Sequence, residues 1–484
     1  MKKTILGRKQ EMERLTKYID SDRSEFIAIY GRRRVGKTFL VKELFDGLFS
    51  FRLTGLENVQ TREQLLFFSY AMNDYFGVET LPATWFEAFR ALSKALEKCE
   101  NGKKIIFIDE LPWLDTPNSA FVSAFEAFWN NWAYYRSDIK LIVCGSATSW
   151  MLNNLINSRG GLHNRVTHSI LISPFTLQET EQYFKNKGFA YSRSEVLISY
   201  MTFGGVAYYL SLFDNKKSVA ENVNALCFER GAELADEFHS VFNSLFKNAT
   251  NYIAVISALS SKGKGLTRTE LVENTKLPNN GKLSSILTDL KRCEFIRAYI
   301  PFGKKKKDEL YQLVDLFTLF HYHFMDVNAN FNKDYWIKAI GTPKYNSWCG
   351  YAFEIVCLHH IDQILDGLSI SGMINQPCSW VYRPSNEMKN DDEADPDLKT
   401  GAQIDLLIDR NDNTITICEM KYSNREYDIT KEYDKHVHDR MRTFQKVTKT
   451  RKTLTLAYIT PNGLSNNVYS RMVRNQVTAD ELFG

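Results

Sequence analysis

Residues 26–38, FIAIYGRRRVGKT, constrain this chain more than any other stretch. An apolar run ends in a glycine-bounded loop that opens into a helical pattern. The loop fits G-x-x-x-x-G-K-[ST], in the strand-to-helix context which that motif requires. Gly31 and Gly36 allow backbone amides to wrap anionic oxygens, and the following helix adds its positive N-terminal end. Arg34 and Val35 belong to the same cradle. Lys37 is expected to reach the β- and γ-phosphates of ATP, and Thr38 to offer its hydroxyl to Mg²⁺. The three arginines at 32–34 suit phosphate, but they suit solvent equally well.

KKIIFIDELPWL (103–114) supplies a second element, a buried strand ending in two carboxylates. Asp109 is expected to hold the metal through water, and Glu110 to orient and deprotonate an attacking water. Acidic groups at the C-terminal end of a strand lie where open α/β sheets bind ligands. A further strand ends in CGSA (144–147), so Ser146 is a candidate to sense the γ-phosphate or align the water. An acidic pair followed by a polar sensor strand favours water as the nucleophile over a kinase-like acceptor, though an acceptor stays open at this point.

Around these motifs, FIAIYG, FSFRLTG, KIIFIDE, IKLIVCGSA and THSILIS read as strands separated by amphipathic helices. That alternation predicts a parallel sheet covered on both faces. The chain has 484 residues, too many for one core, and its length suggests roughly three domains. We read an ATPase core at 1–173, a helical lid at 174–246, a winged helix at 247–330 and a last α/β domain at 331–484. Lys plus Arg total 61 against 57 Asp plus Glu, so the net charge of +4 is too even to argue nucleic-acid binding alone. Eight cysteines without CxxC or Cys/His spacing exclude a disulfide framework and a zinc ribbon, and predict reduced thiols in a cytoplasmic protein. The start MKKTILGRKQEMERL lacks a signal-peptide core, and runs such as IIFI fall far short of the ~20 residues that span a bilayer. No membrane partner is expected.

LGRKQEM (6–12), GRRRVGKT, IDELPWL, CGSATSWM and GGVAYYL (204–210) together resemble the archaeal-type ATPases of the STAND branch of the AAA+ superfamily. The resemblance covers about 1–330. It implies that Gly7 and Arg8 lie over the adenine. It also implies that Arg165, before the fifth strand, either acts as a finger on a neighbouring copy in a homo-oligomer or completes its own site. A plain surface arginine is the bland alternative. The family's lid motif carries a proline where this chain has Ala207.

A second constellation lies near the C-terminus. GAQIDLLID (401–409) and TITICEMK (414–421) read as a tight hairpin centred on Asp412. That centre pairs Asp405 with Glu419, and period two puts Lys421 on the face of Glu419. The three side chains are therefore expected on one patch, able to bind a hard cation such as Mg²⁺ or Mn²⁺. A structural cross-strand salt-bridge set is the alternative. Glu354, in the helical GYAFEIVCLHH, is a fourth candidate. Glu354, Asp405, Glu419 and Lys421 resemble the acidic and Glu-x-Lys pattern of the PD-(D/E)XK restriction-endonuclease-like superfamily. That resemblance implies metal ligation by the three carboxylates and catalysis by Glu419 and Lys421.

Between these regions, residues 250–325 read helix, helix, helix, then two strands around Lys304, Lys305, Lys306 and Lys307, the order of a winged helix. Four lysines at a hairpin tip suit phosphate contacts, which bring affinity without sequence choice. The mixed-charge stretch 425–452 reads as a solvated helix, and His436 and His438 do not share a face. The sequence thus predicts a multidomain α/β protein: a P-loop parallel sheet with helical lid, winged helix and restriction-endonuclease-like C-terminal domain. The expected function is an ATP-hydrolysing switch coupled to a nuclease-like, DNA-acting domain. The alternative is an ATP-dependent DNA-binding or regulatory scaffold with an inactive nuclease fold.

Overall fold

The computed structural model describes residues 5–484 except 101, 158–161, 163, 247, 327–333, 374, 387–388 and 390–394. Seven residues of the polar stretch 386–401, and most of SRGGLHNR before Arg165, lie outside the described residues. The chain forms two compact units. One comprises 1–175 with 206–211 and 244–247; the other comprises 176–205, 212–243 and 248–484.

The first unit is built on five parallel strands in the order β2-β3-β4-β1-β5. They are β1 (Glu25–Tyr30), β2 (Phe49–Thr54), β3 (Lys104–Asp109), β4 (Ile139–Gly145) and β5 (His168–Leu171). Alternation along β1 divides two cores. Phe26 and Ala28 face a cluster with Ile106, Leu141 and Trp129, whereas Ile27 and Ile29 face one with Ile105, Ile142 and Leu40. Burial of both faces is why these strands read as unbroken apolar runs. The strand order places β4 between β3 and β1, so the C-terminal ends of all three lie side by side.

In the second unit, Thr176, Ser192, Ser218 and Thr267 each start a helix through a capping box with the glutamate three residues on. Helices Ala249–Ser260, Arg268–Thr275 and Gly281–Arg292 accompany a small antiparallel sheet, β6-β8-β7, of β6 (Leu266–Thr267), β7 (Ile296–Tyr299) and β8 (Leu310–Leu313). Lys304–Lys307 are exposed in the turn between β7 and β8.

The C-terminal part of this unit holds a mixed sheet in the order β13-β12-β11-β10-β9. Its strands are β9 (Asn375–Tyr382), β10 (Ala402–Arg410), β11 (Thr414–Met420), β12 (Thr453–Ile459) and β13 (Asn475–Val477). The β10–β11 hairpin pairs Leu406 with Cys418 and Asp409 with Ile415, the register centred on Asp412. A register shift between Ile404 and Leu407 interrupts β10 against β9. This bulge brings Ile404 and Leu407, three apart, into one core with Trp380 and Phe444, where strict alternation would separate them.

Candidate functional site

The phosphate loop leaves β1 in a strained turn that only glycine accommodates. Gly31 has φ +142°, and a Cβ there would lie 2.2 Å from the carbonyl oxygen of Ile172. The loop closes at Gly36, with φ +94°, and the helix Lys37–Phe45 begins at once. Lys37 is buried and donates from Nζ to the carbonyls of Gly31 at 2.9 Å and Arg32 at 2.8 Å. Its ammonium thus sits within the loop mouth. Thr38 Oγ1 donates to Asp109 Oδ1 at 3.1 Å, and the same oxygen accepts the Glu110 amide at 3.0 Å. Glu110 sits in the left-handed region with φ 46°, and its Oε2 accepts from the Ser146 amide at 3.1 Å and hydroxyl at 2.9 Å. Ser146 is brought there by the position of β4 between β3 and β1.

The hydroxyl of Thr38 and the carboxylate of Asp109 form a hard-oxygen pair of the kind Mg²⁺ prefers, so the residues present fit that ion. Beside them, burial pushes the Cys144 thiol well up, with the Asp109 charge adding to it, so Cys144 stays neutral. Arg8 is buried with a left-handed backbone, φ 58°. Its guanidinium donates to the carbonyls of Ser173 and Val35 and stacks over the Phe175 ring at 4.7 Å. It braces the loop to the strand that follows. Gly7, beside it, also takes positive φ, at 66°. Arg34 packs over the Tyr208 ring at 4.1 Å, and its carbonyl accepts the Tyr208 amide at 3.1 Å. In this way the GGVAYYL segment reaches the loop. Ala207 stands against it, with Cβ 3.9 Å from where a Gly36 Cβ would lie.

Arg165 is not brought to the loop. It precedes β5 and lies over the Tyr134 ring at 4.8 Å, at the edge of the sheet where the strands begin. The loop leaves the opposite edge, about 15–20 Å away at ~3.3 Å per strand residue. Completion of its own site by Arg165 is therefore not the arrangement here.

The C-terminal constellation is divided. Asp405 lines a small cavity with Glu354 and Gln403, which has room for about one water molecule. Gln403 Nε2 donates to Asp405 Oδ1 at 2.5 Å. Met420 lines the same cavity, so Glu419, the residue before it in β11, points to the other face. There Glu419 is buried and accepts from Tyr433 Oη at 2.6 Å, and it pairs with Arg440 at 2.9 Å. Lys421 Nζ lies over the Tyr433 ring at 4.7 Å. The expected single patch of Asp405, Glu419 and Lys421 is thus divided in its contacts: Asp405 meets Gln403 beside Glu354, whereas Glu419 is held by Tyr433 and Arg440, although the charges of Glu419 and Lys421 still act on Glu354. Among the described residues, no group of three or more His, Cys, Asp or Glu side chains is placed to hold a metal ion. As arranged, the site does not fit the expected Mg²⁺ or Mn²⁺. Burial pushes Glu354 up to about 8, with the Asp405 charge adding to it and Lys421 and Lys264 opposing.

Sequence reasoning missed Tyr433 and Arg440. Tyr433, Val437, Arg440 and Phe444 follow helical spacing on Lys431–Thr448, so a basic residue inside an otherwise apolar stripe was the available signal. Lys264 and Arg297 carry no local motif.

Residues 5–213 match the family described as an ATPase domain predominantly from Archaea. Residues 5–213 are therefore an ATPase domain of this archaeal type. An uncharacterized protein of Methanocaldococcus jannaschii is 23% identical over 451 residues, 89% of this chain and 90% of the relative. Among solved structures, a Walker-type ATPase of Pyrococcus abyssi is similar, with TM-score 0.48 and 16% identity over 65% of this chain and 95% of that one. The ORC2 protein of Aeropyrum pernix, in its ADPNP–ADP complexes, has TM-score 0.35 and 11% identity over 66% of this chain and 95% of that one. Among the described residues, no helix is long and apolar enough to cross a membrane.

Proposed function

We propose that the chain is an Mg²⁺-dependent switch of AAA+/STAND type that binds and hydrolyses ATP and relays its state to a nuclease-like, DNA-acting C-terminal domain. One observation carries the reading: Thr38 with Asp109 and Glu110 with Ser146 form a connected oxygen network around the phosphate loop. Loop amides and Lys37 bind the triphosphate. Thr38 and Asp109 hold Mg²⁺, which supplies neutralisation of phosphate charge. Glu110 accepts a proton from water as its oxygen bonds to the γ-phosphorus and the bond to ADP breaks. Ser146 holds the carboxylate of Glu110 and so sets when it is free to act. Arg8 and Gly7 support the loop from the adenine side.

Arg165 serves a neighbouring copy in a homo-oligomer, a role its distance from its own loop supports. The helix and strand order of 249–313 supports a winged helix, and the exposed Lys304–Lys307 support contacts to DNA phosphates.

The buried Glu419–Arg440 pair favours a second reading, in which the acid–lysine set is structural and the chain is an ATP-dependent regulatory scaffold. Supercoiled plasmid with Mg²⁺ or Mn²⁺ separates the two. Nicking by wild type, lost in Glu419→Ala and Lys421→Ala, supports the nuclease. Equal nicking by all three proteins leaves the scaffold.

A further inference from the structure

The Glu354–Asp405 cavity has a second wall, and it comes from the helix–hairpin segment 249–313. Gly263 and Lys264, in the turn after helix Ala249–Ser260, and Arg297, on β7, line the same cavity as the two carboxylates. The seam around it is closely fitted. Tyr351 Oη donates to the Gly263 carbonyl at 2.6 Å, and Gln312 Nε2 donates to the same oxygen at 2.7 Å. Gln312 also holds Arg297, whose Nε donates to its Oε1 at 2.7 Å, and the guanidinium lies over the Tyr299 ring at 4.4 Å. A Cβ on Gly263 would lie 2.9 Å from the Tyr351 ring, so there is no slack. Further along, the Phe302 amide donates to the Ser379 carbonyl at 2.7 Å, and its ring meets Phe444 at 5.5 Å. The hairpin turn thereby adds to the edge strand β9 of the C-terminal sheet.

Two carboxyl groups in a cavity with room for one water, faced by two cations from another part of the chain, form a site where positive charge already stands against the acids. A divalent ion would meet the carboxylates together with positive charge, and a nucleic-acid phosphate would find its approach filled. We propose that segment 249–313 is an autoinhibitory cover, which seats Lys264 and Arg297 where a divalent cation and a phosphate group would otherwise lie. The inference rests on reading the C-terminal sheet as a nuclease-like site, and it accounts for why that site does not fit its metal in this arrangement.

The test uses the full chain and Mn²⁺ alone, with binding read by electron paramagnetic resonance. Gly263→Ala leaves every charge in place but wedges the seam against Tyr351. Tyr351→Phe removes one seam hydrogen bond and serves if the wedge variant does not fold. Either is expected to bind Mn²⁺ at least tenfold more tightly than wild type, and Asp405→Asn in the same background is expected to erase the gain. Unchanged Mn²⁺ affinity in a folded seam variant, or a gain that survives Asp405→Asn, overturns the cover. Plasmid nicking by the seam variants is the separate readout. A gain in Mn²⁺ binding without nicking supports the cover and removes the nuclease reading.

Discussion

The phosphate loop and the acidic pocket are built from the same kinds of side chain, carboxylates and lysines at strand ends, yet they are held in different ways. At the loop, each charged group meets a complementary partner: Lys37 on the carbonyls of its own loop, Asp109 on Thr38 of the following helix, Glu110 on Ser146 at the end of the neighbouring strand. At the C-terminal sheet, two carboxylates crowd one cavity, while the third is turned to Arg440 on the opposite face. The first arrangement presents oxygens and amides outward to a ligand. The second satisfies its charges internally. The difference teaches that a motif is informative to the extent that one continuous backbone geometry enforces it.

The comparison breaks most readily at the loop. Lys37→Ala removes the ammonium seated on the loop carbonyls, and ATP turnover should fall by at least ~10²-fold, the scale for losing a transition-state charge contact. Steady-state phosphate release checks this, and turnover at the wild-type rate would falsify the loop assignment. Glu110→Gln should lower turnover by about 10²–10⁴-fold, the range for a general base, while a fluorescent ATP analogue still binds. Loss of binding as well would mean that Glu110 is structural.

Removing Arg440 tests the other region. Arg440→Met leaves the buried Glu419 carboxylate without its ion-pair partner, and unfolding stability should fall by about 3–5 kcal/mol. The double change Glu419→Gln with Arg440→Met should recover most of that in a denaturant melt. If Arg440→Met is neutral, the pair does not hold the C-terminal sheet together.

A smaller effect concerns pH. The folded chain retains the Glu354 proton up to about 8, whereas the ordinary value is 4.5. The folded state binds the extra proton between those values, so its stability should decline as pH rises through that interval. Glu354→Gln should flatten the slope of melting temperature over that range, and an unchanged slope assigns it to other groups. Asp138, held at about 2 by Arg136 with Lys104 in support, has the opposite sign: its contribution is present above 3.8 and lost as pH falls through 2. Smallest of all, replacing Lys304–Lys307 with alanine should weaken binding to any duplex almost uniformly and reduce its salt dependence. A sequence-selective loss would contradict a pure phosphate contact.

Much of this was legible in residue order. Strand and helix alternation announced the parallel sheet, and the S/T-x-x-E boxes marked helix starts in the second unit. The hairpin register about Asp412 followed from two apolar runs and a polar turn. The partnership of Glu110 with Ser146 was not legible, because it needs β4 between β3 and β1, and strand order is a matter of long-range packing. Nor was the separation of Asp405 from Glu419. A bulge shifts alternation by one residue, and this one lies in the pairing of β10 with β9, away from the hairpin turn.

Residue identity and spacing by themselves determined the phosphate cradle, since one strand, one glycine turn and one helix suffice to aim amides at a single point. Tertiary structure alone decided which carboxylates face one another, and that Lys264 and Arg297 stand over two of them. Those contacts join residues far apart in the chain, and no local backbone preference encodes a meeting that only folding brings about.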